Sequence, residues 1–190
     1  MTVNADATSD RDRVLAAASR LFYTRGVQAV GMDAVRTEAG VPLKRLYAAF
    51  PSKDALLLEV LSCQSEQWNA RLEAAIAAAP DPRGKLLAVF DFLGDWFGDD
   101  DFRGCLFVNA FGELGAVAPD VARAVRAQKD GFRRQLTDLV AEFGGPAELG
   151  PQLALLAEGA QTTAAIDGTP DTAQVARAAA AVLLDAAGGR

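Results

Sequence analysis

Residues 31–53 read GMDAVRTEAGVPLKRLYAAFPSK, and the spacing inside that stretch decides how the chain folds. Val35, Ala39, Leu46 and Phe50 are apolar at helical intervals, and Gly40 interrupts the run directly after Ala39. Glycine enters the left-handed backbone region at little steric cost, so the chain can turn sharply there. Val41 then plugs the angle between the two helices, and Pro42 suits the first turn of the second. The spacing therefore predicts helices over 32–39 and 42–49. Two short helices joined this way form a helix-turn-helix, whose second member is shaped to lie in a DNA major groove.

Outward from that stretch, the same helical period continues in both directions. Ser9-Asp10-Arg11-Asp12 has the makings of a helix start, with Ser9 as cap and acids near the positive end of the helix. Val14, Leu15, Ala18, Leu21 and Phe22 give that helix an apolar face, and Gly26 stops it. Ser52 caps a long fourth helix with a stripe at Leu56, Val60, Cys63, Trp68 and Leu72, ending near residue 79 before Pro80 and Pro82. Further helices are predicted over 82–97, 103–114, 119–143, 149–166 and 171–187, separated by Gly, Asp and Pro clusters. No segment alternates with the period of a strand over a useful length, so the chain is all-α with about nine helices.

The formal charge of −6 has the wrong sign for a DNA-binding protein until it is divided along the chain. Residues 1–53 hold eight Lys/Arg against five Asp/Glu, a net of +3, while residues 54–190 hold eleven against twenty, a net of −9. Phosphate neutralisation needs basic charge at the contact surface, so this asymmetry favours a nucleic-acid end on an acidic body. The expected division is a DNA-binding domain over 1–53 and an effector-binding and dimerisation domain over 54–190.

Composition removes several classes of chemistry. Half of the chain is apolar (51%), enough to bury a core. Histidine is absent, which removes Ser-His and Cys-His catalytic pairs and His-ligated metals. Cys63 and Cys105 are isolated and read as reduced thiols. The Asp99–Asp101 run lacks the spacing of a calcium loop and reads as a solvated loop. No cofactor is expected. No apolar run is long enough to span a membrane, and the polar opening MTVNADATSDRDR is not that of a signal peptide, so a cytoplasmic protein is expected.

The block Met32-Asp33-x-Val35, Ala39-Gly40-Val41 and Leu46-Tyr47-x-x-Phe50-Pro51-Ser52-Lys53-x-x-Leu56 closely resembles the DNA-binding domain of the tetracycline-repressor (TetR) family over about residues 10–60. Beyond it the similarity is one of helix number and order. The resemblance implies a homodimer whose eighth and ninth helices form a four-helix interface, and an effector site among helices four to seven. A small molecule bound there would swing helix four and change the separation of the two recognition helices. Recognition helices must lie about 34–36 Å apart to enter successive major grooves. The sequence departs from the family pattern at Gly31, where a Ser or Thr cap is usual, at Arg36, often a small residue, and at Ala49, frequently a polar DNA contact. Leu43, Lys44 and Arg45 are left with most of the readable chemistry.

The candidate DNA contacts are accordingly Arg36, Thr37, Leu43, Lys44, Arg45, Tyr47 and Lys53. Lys44 and Arg45 are adjacent and point in different directions, so one can meet guanine while the other meets phosphate. Tyr47 can donate to phosphate or simply pack, and Lys53 sits beside free amides at a helix start. Trp68, Phe90, Phe92, Trp96, Phe107 and Phe111, with polar Asn109, Glu113 and Gln161, are the candidates for an apolar effector cavity; ordinary core packing is the alternative for each. Leu153, Leu156, Ala157, Ala160, Val175, Ala179, Val182 and Leu183 are the candidates for a dimer interface, because a reader of palindromes needs two-fold symmetry. The expected partners are a double-stranded operator, a second copy and an unknown small molecule. The leading function is a ligand-released repressor. Two rivals remain: an all-α binding protein or enzyme with a degenerate DNA-binding head, and a DNA-binding protein with no effector.

Overall fold

A computed structural model describes residues 9–188, and every regular element among them is helical. The elements are α1 (Asp10–Arg25), α2 (Met32–Ala39), α3 (Leu43–Ala49), α4 (Lys53–Ala77), α5 (Pro82–Phe97), α6 (Leu106–Leu114), α7 (Pro119–Phe143), α8 (Leu149–Asp167) and α9 (Asp171–Gly188). The expectation for the polar opening falls partly on residues 1–8, outside the described residues.

The chain forms two compact units. One takes in residues up to Gln64 together with Leu106–Ala124, and the other holds Ser65–Cys105 and the chain from Val125 onward. Within the first, Ser9 caps α1 through a reciprocal box: the Asp12 amide donates to its hydroxyl at 3.1 Å, and the Asp12 carboxylate accepts from the Ser9 amide. Val14, Ala17, Ala18, Leu21 and Phe22 bury the inner face of α1, against which α2 and α3 pack. Gly40 closes α2 in the left-handed conformation (φ 63°, ψ 37°), and the Val41 amide returns to the Arg36 carbonyl. Val41, Leu46 and Phe50 are buried, which anchors one side of α3 and leaves the other outward.

The α6 segment of this unit is tied back to the turn after α1. The Glu113 carboxylate accepts from the amides of Val27 (3.0 Å) and Gln28 (2.6 Å), and the Gln28 side chain donates to the Glu113 carbonyl. A Cβ added at Gly26 would lie 3.1 Å from Glu113 Oε1, so the approach depends on a bare backbone there. The second unit has its own apolar core, with Leu72, Leu86, Phe90, Leu93, Leu136, Leu153, Ala157, Ala180 and Leu184 at its centre. Here α5 packs on both α8 and α9, which pack on each other.

Several expected helix ends shift, with α4 closing at Ala77, α8 at Asp167 and α9 at Gly188, and two helix starts move for a local reason. Pro42 caps α3 in an extended conformation instead of opening its first turn. Helix α6 starts at Leu106, not 103, because Gly104 takes φ 82°, which no right-handed helix continues through.

Three substitutions test this local physics. Gly40→Ala adds a Cβ that meets nothing within 4 Å, so its cost is conformational alone, about 1 kcal/mol of unfolding free energy. Gly31 caps α2 with no side-chain bond and open space beside it, so Gly31→Ser should stabilise by a few tenths of a kcal/mol, roughly the Gly-to-Ser difference at such caps. Glu113→Ala should cost about 1 kcal/mol, because two amides lose a charged acceptor where water can partly replace it. Urea unfolding at fixed protein concentration reads all three.

Candidate nucleic-acid interface

Because Leu46 turns inward, the residues around it on α3 turn outward. Pro42, Leu43, Lys44, Arg45, Tyr47 and Ala48 are all exposed, Leu43 at 43% and Tyr47 at 46%. A seven-residue helix thus presents a cation, a guanidinium and a phenol from one side while the other is locked into the core.

The electrostatics of this face are set by ion pairs with α1. Arg45 Nη1 donates to Asp10 Oδ2 at 2.6 Å, and Arg13 engages the other oxygen of the same carboxylate. The Arg45 hydrogen bond, with Arg13 next, holds the Asp10 carboxyl below the usual carboxylate range, and the same contact raises Arg45 above its ordinary value. Both groups stay charged at neutral pH. Lys44 has no ion pair among the described residues. Lys53, at the first turn of α4, reaches the Gln28 carbonyl at 3.5 Å and remains half-exposed. Ser52 caps that helix by accepting from the Ala55 amide.

The α2 candidates are arranged differently. Arg36 pairs with Asp33 on its own helix (Nε to Oδ1, 3.3 Å), and the Thr37 hydroxyl donates to the Asp33 carbonyl. Arg11 lies over the Phe50 ring at 4.9 Å and reaches Glu59, fastening α1 to the start of α4. Of the eight basic residues in the first 53, five are thus engaged by acids, while Arg25, Lys44 and Lys53 have no acid partner among the described residues.

The residues expected around an effector divide between the two units. Trp68, Phe90, Phe92, Trp96 and Gln161 belong to the second, and Phe107, Asn109, Phe111 and Glu113 to the first. Trp68 is the hub of an aromatic cluster, edge-on to Phe92 (5.3 Å), Phe132 (5.2 Å) and Trp96 (6.5 Å). Phe132 and Phe102, which touches Trp96, were not among the sequence candidates, although Phe132 lies within the predicted helix over 119–143 and Phe102 just before the one over 103–114. Gln161 is 3% exposed in α8, and the Gln128 Oε1 in α7 is buried with no hydrogen-bond partner. Phe90 and Phe107 are buried, while Asn109 and Phe111 are exposed. Glu113 is occupied by the amides of the α1–α2 turn, a role that no local sequence signal announced. Lys129 Nζ bridges Cys105 Sγ (3.3 Å) and Glu158 (2.9 Å), while Cys63 is half-buried.

The expected interface residues also separate. Leu153, Ala157 and Ala160 lie inside the second unit's own core, where they pack and do not face outward. Leu156, Ala179 and Leu183 are half-buried, and Val175 and Val182 are 70% and 68% exposed. Two residues not anticipated, Leu155 and Ile166 of α8, are 74% and 78% exposed. Asp10 is likewise new: the sequence placed it only at a helix start.

Comparison with known proteins agrees with this geometry. Residues 14–60 match the family described as bacterial regulatory proteins, tetR family. A TetR-family transcriptional regulator from Streptomyces coelicolor superposes with a TM-score of 0.88 at 31% identity, over 94% of this chain and 96% of that one. A putative TetR regulator from Streptomyces avermitilis gives 0.83 at 31%, over 94% and 98%. The transcriptional activator FasR of Mycolicibacterium smegmatis is 31% identical over 71% of this chain, which spans 60% of FasR's length. With sequence and fold agreeing over nearly the whole chain, the protein belongs to the TetR family of helix-turn-helix transcriptional regulators.

Proposed function

We propose that the protein is a dimeric repressor that occupies a palindromic operator and is released by a small molecule. The observation that carries this reading is the outward row Leu43, Lys44, Arg45 and Tyr47 on a helix whose opposite side is buried. In this reading residues 1–53 bind DNA, while residues 54–190 dimerise and take the effector. Arg45 reads a base edge, Lys44, Tyr47 and Lys53 hold phosphates, and Leu43 meets the groove through apolar contact, as with a thymine methyl. Arg36 and Thr37 contribute at the edge of α2. Repression requires only that DNA be occupied, with no further activating surface. DNA as a partner places the protein in the cytoplasm, and no catalytic role is assigned.

The second copy packs against α8 and α9. Leu155, Gly159, Thr162 and Ile166 recur along one exposed side of α8, and Val175 and Val182 lie seven residues apart on α9. Large aliphatic side chains left in water on two adjacent helices are covered at low cost by the same surface of a partner, as two-fold symmetry supplies. The effector reading is supported by the Trp68 cluster, with Gln161 and Gln128 as polar groups able to orient a largely apolar ligand. The ligand acts by favouring a state whose recognition helices no longer match the operator.

Two measurements test this. On a selected operator, Arg45→Ala should lose about 1–3 kcal/mol and relax preference at one base position, whereas Lys53→Ala should weaken operator and random duplexes alike and reduce the salt slope by about 1 per subunit. Equal loss on both duplexes for Arg45→Ala removes its base-reading role, and an unchanged slope removes the phosphate role of Lys53. Val182→Asp should convert the dimer to a folded monomer in sedimentation with unchanged helical circular dichroism, and abolish palindrome binding. A Val182→Asp protein that still sediments as a dimer contradicts this surface.

A further inference from the structure

The Asp10 carboxylate has a use that neither the helix-turn-helix nor the capping of α1 requires. It stands in the first turn of α1, where the helix dipole favours a negative charge, and is only 23% exposed. One of its oxygens takes Arg13 from the same helix and the other takes Arg45 from α3. A carboxylate held by its own helix and a neighbouring arginine is a fixed point. The Arg45 side chain, by contrast, is 69% exposed and otherwise free to sample many rotamers. Ordering such a side chain only at the moment of binding costs conformational entropy.

We propose that Asp10 is a positioning residue for base recognition: it holds the Arg45 guanidinium so that the remaining edge of the fork meets a guanine. This rests on the reading of Arg45 as the base contact. The guanidinium carries five donors in one plane, and the contact to Asp10 uses Nη1 alone. The Nε–Nη2 edge keeps the two parallel N–H groups that guanine O6 and N7 accept. On that reading, a negative charge beside Arg45 also repels the phosphates of any duplex, so it weakens attachment to arbitrary sequence. Asp10 therefore raises specificity from both sides, by ordering the correct contact and by lowering the affinity of all the others.

The test compares Asp10→Asn, Arg45→Ala and the double variant on the duplex that the unaltered protein selects from random DNA. Each is measured against a panel of single-base replacements and a random duplex, with melting temperatures to confirm folding. Asp10→Asn should bind the random duplex more tightly and lose about tenfold in preference at the base position that Arg45→Ala also relaxes. The double variant should show the same base profile as Arg45→Ala, because Asp10 acts through Arg45. If Arg45→Ala relaxes one position but Asp10→Asn tightens every duplex equally with the profile intact, Asp10 is only a competing charge and the proposal fails by itself. If Arg45→Ala changes no position, the base-reading role of Arg45 fails and this proposal falls with it.

Discussion

A helix of seven residues has almost no stability of its own, since the nucleus costs more than so few hydrogen bonds return. Helix α3 exists because Leu46 is wholly buried and because Val41 and Phe50 are held on either side of it. Everything the protein can do to DNA depends on that anchoring. The left-handed Gly40 sets the angle at which α3 leaves α2, and the buried trio sets its rotation. Once the rotation is fixed, the outward positions are fixed too, as the proposed reading of DNA by their side chains requires.

Electrostatics refine what packing has placed. Five of the eight basic residues in the first 53 are engaged by acids on α1, α2 and α4, so the charge that matters is local. A surface of unpaired cations would bind any duplex. One in which Arg45 is tethered while Arg25, Lys44 and Lys53 have no acid partner among the described residues suits the proposed division of labour between base and backbone. The Glu113 contact has a parallel logic, with a carboxylate on α6 fixing the turn from which α2 and α3 follow.

Much of this was legible in the sequence, and the exceptions share a cause. The boundaries of α2 and its glycine turn could be read because the 3.6-residue period and the glycine agree. The start of α6 could not, since Gly104 sits among apolar neighbours that look helical, and only its backbone angle excludes it. In the alanine-rich α8, apolar residues occupy every side of the helix. Periodicity therefore gave no means of choosing between Leu153, Ala157 and Ala160, which turn inward, and Leu155 and Ile166, which turn out. Contacts between distant residues left no trace at all: Glu113 meets an amide 86 positions away, and Arg45 meets an acid 35 positions away.

The most direct test of the account is selection from random duplex DNA with the purified protein, followed by the stoichiometry and footprint of the complex on the recovered sequence. The account predicts an inverted repeat bound by two copies, with half-site centres about one helical turn or a multiple of it apart. Recovery of no sequence above background, or of a single half-site bound by one copy, would contradict it.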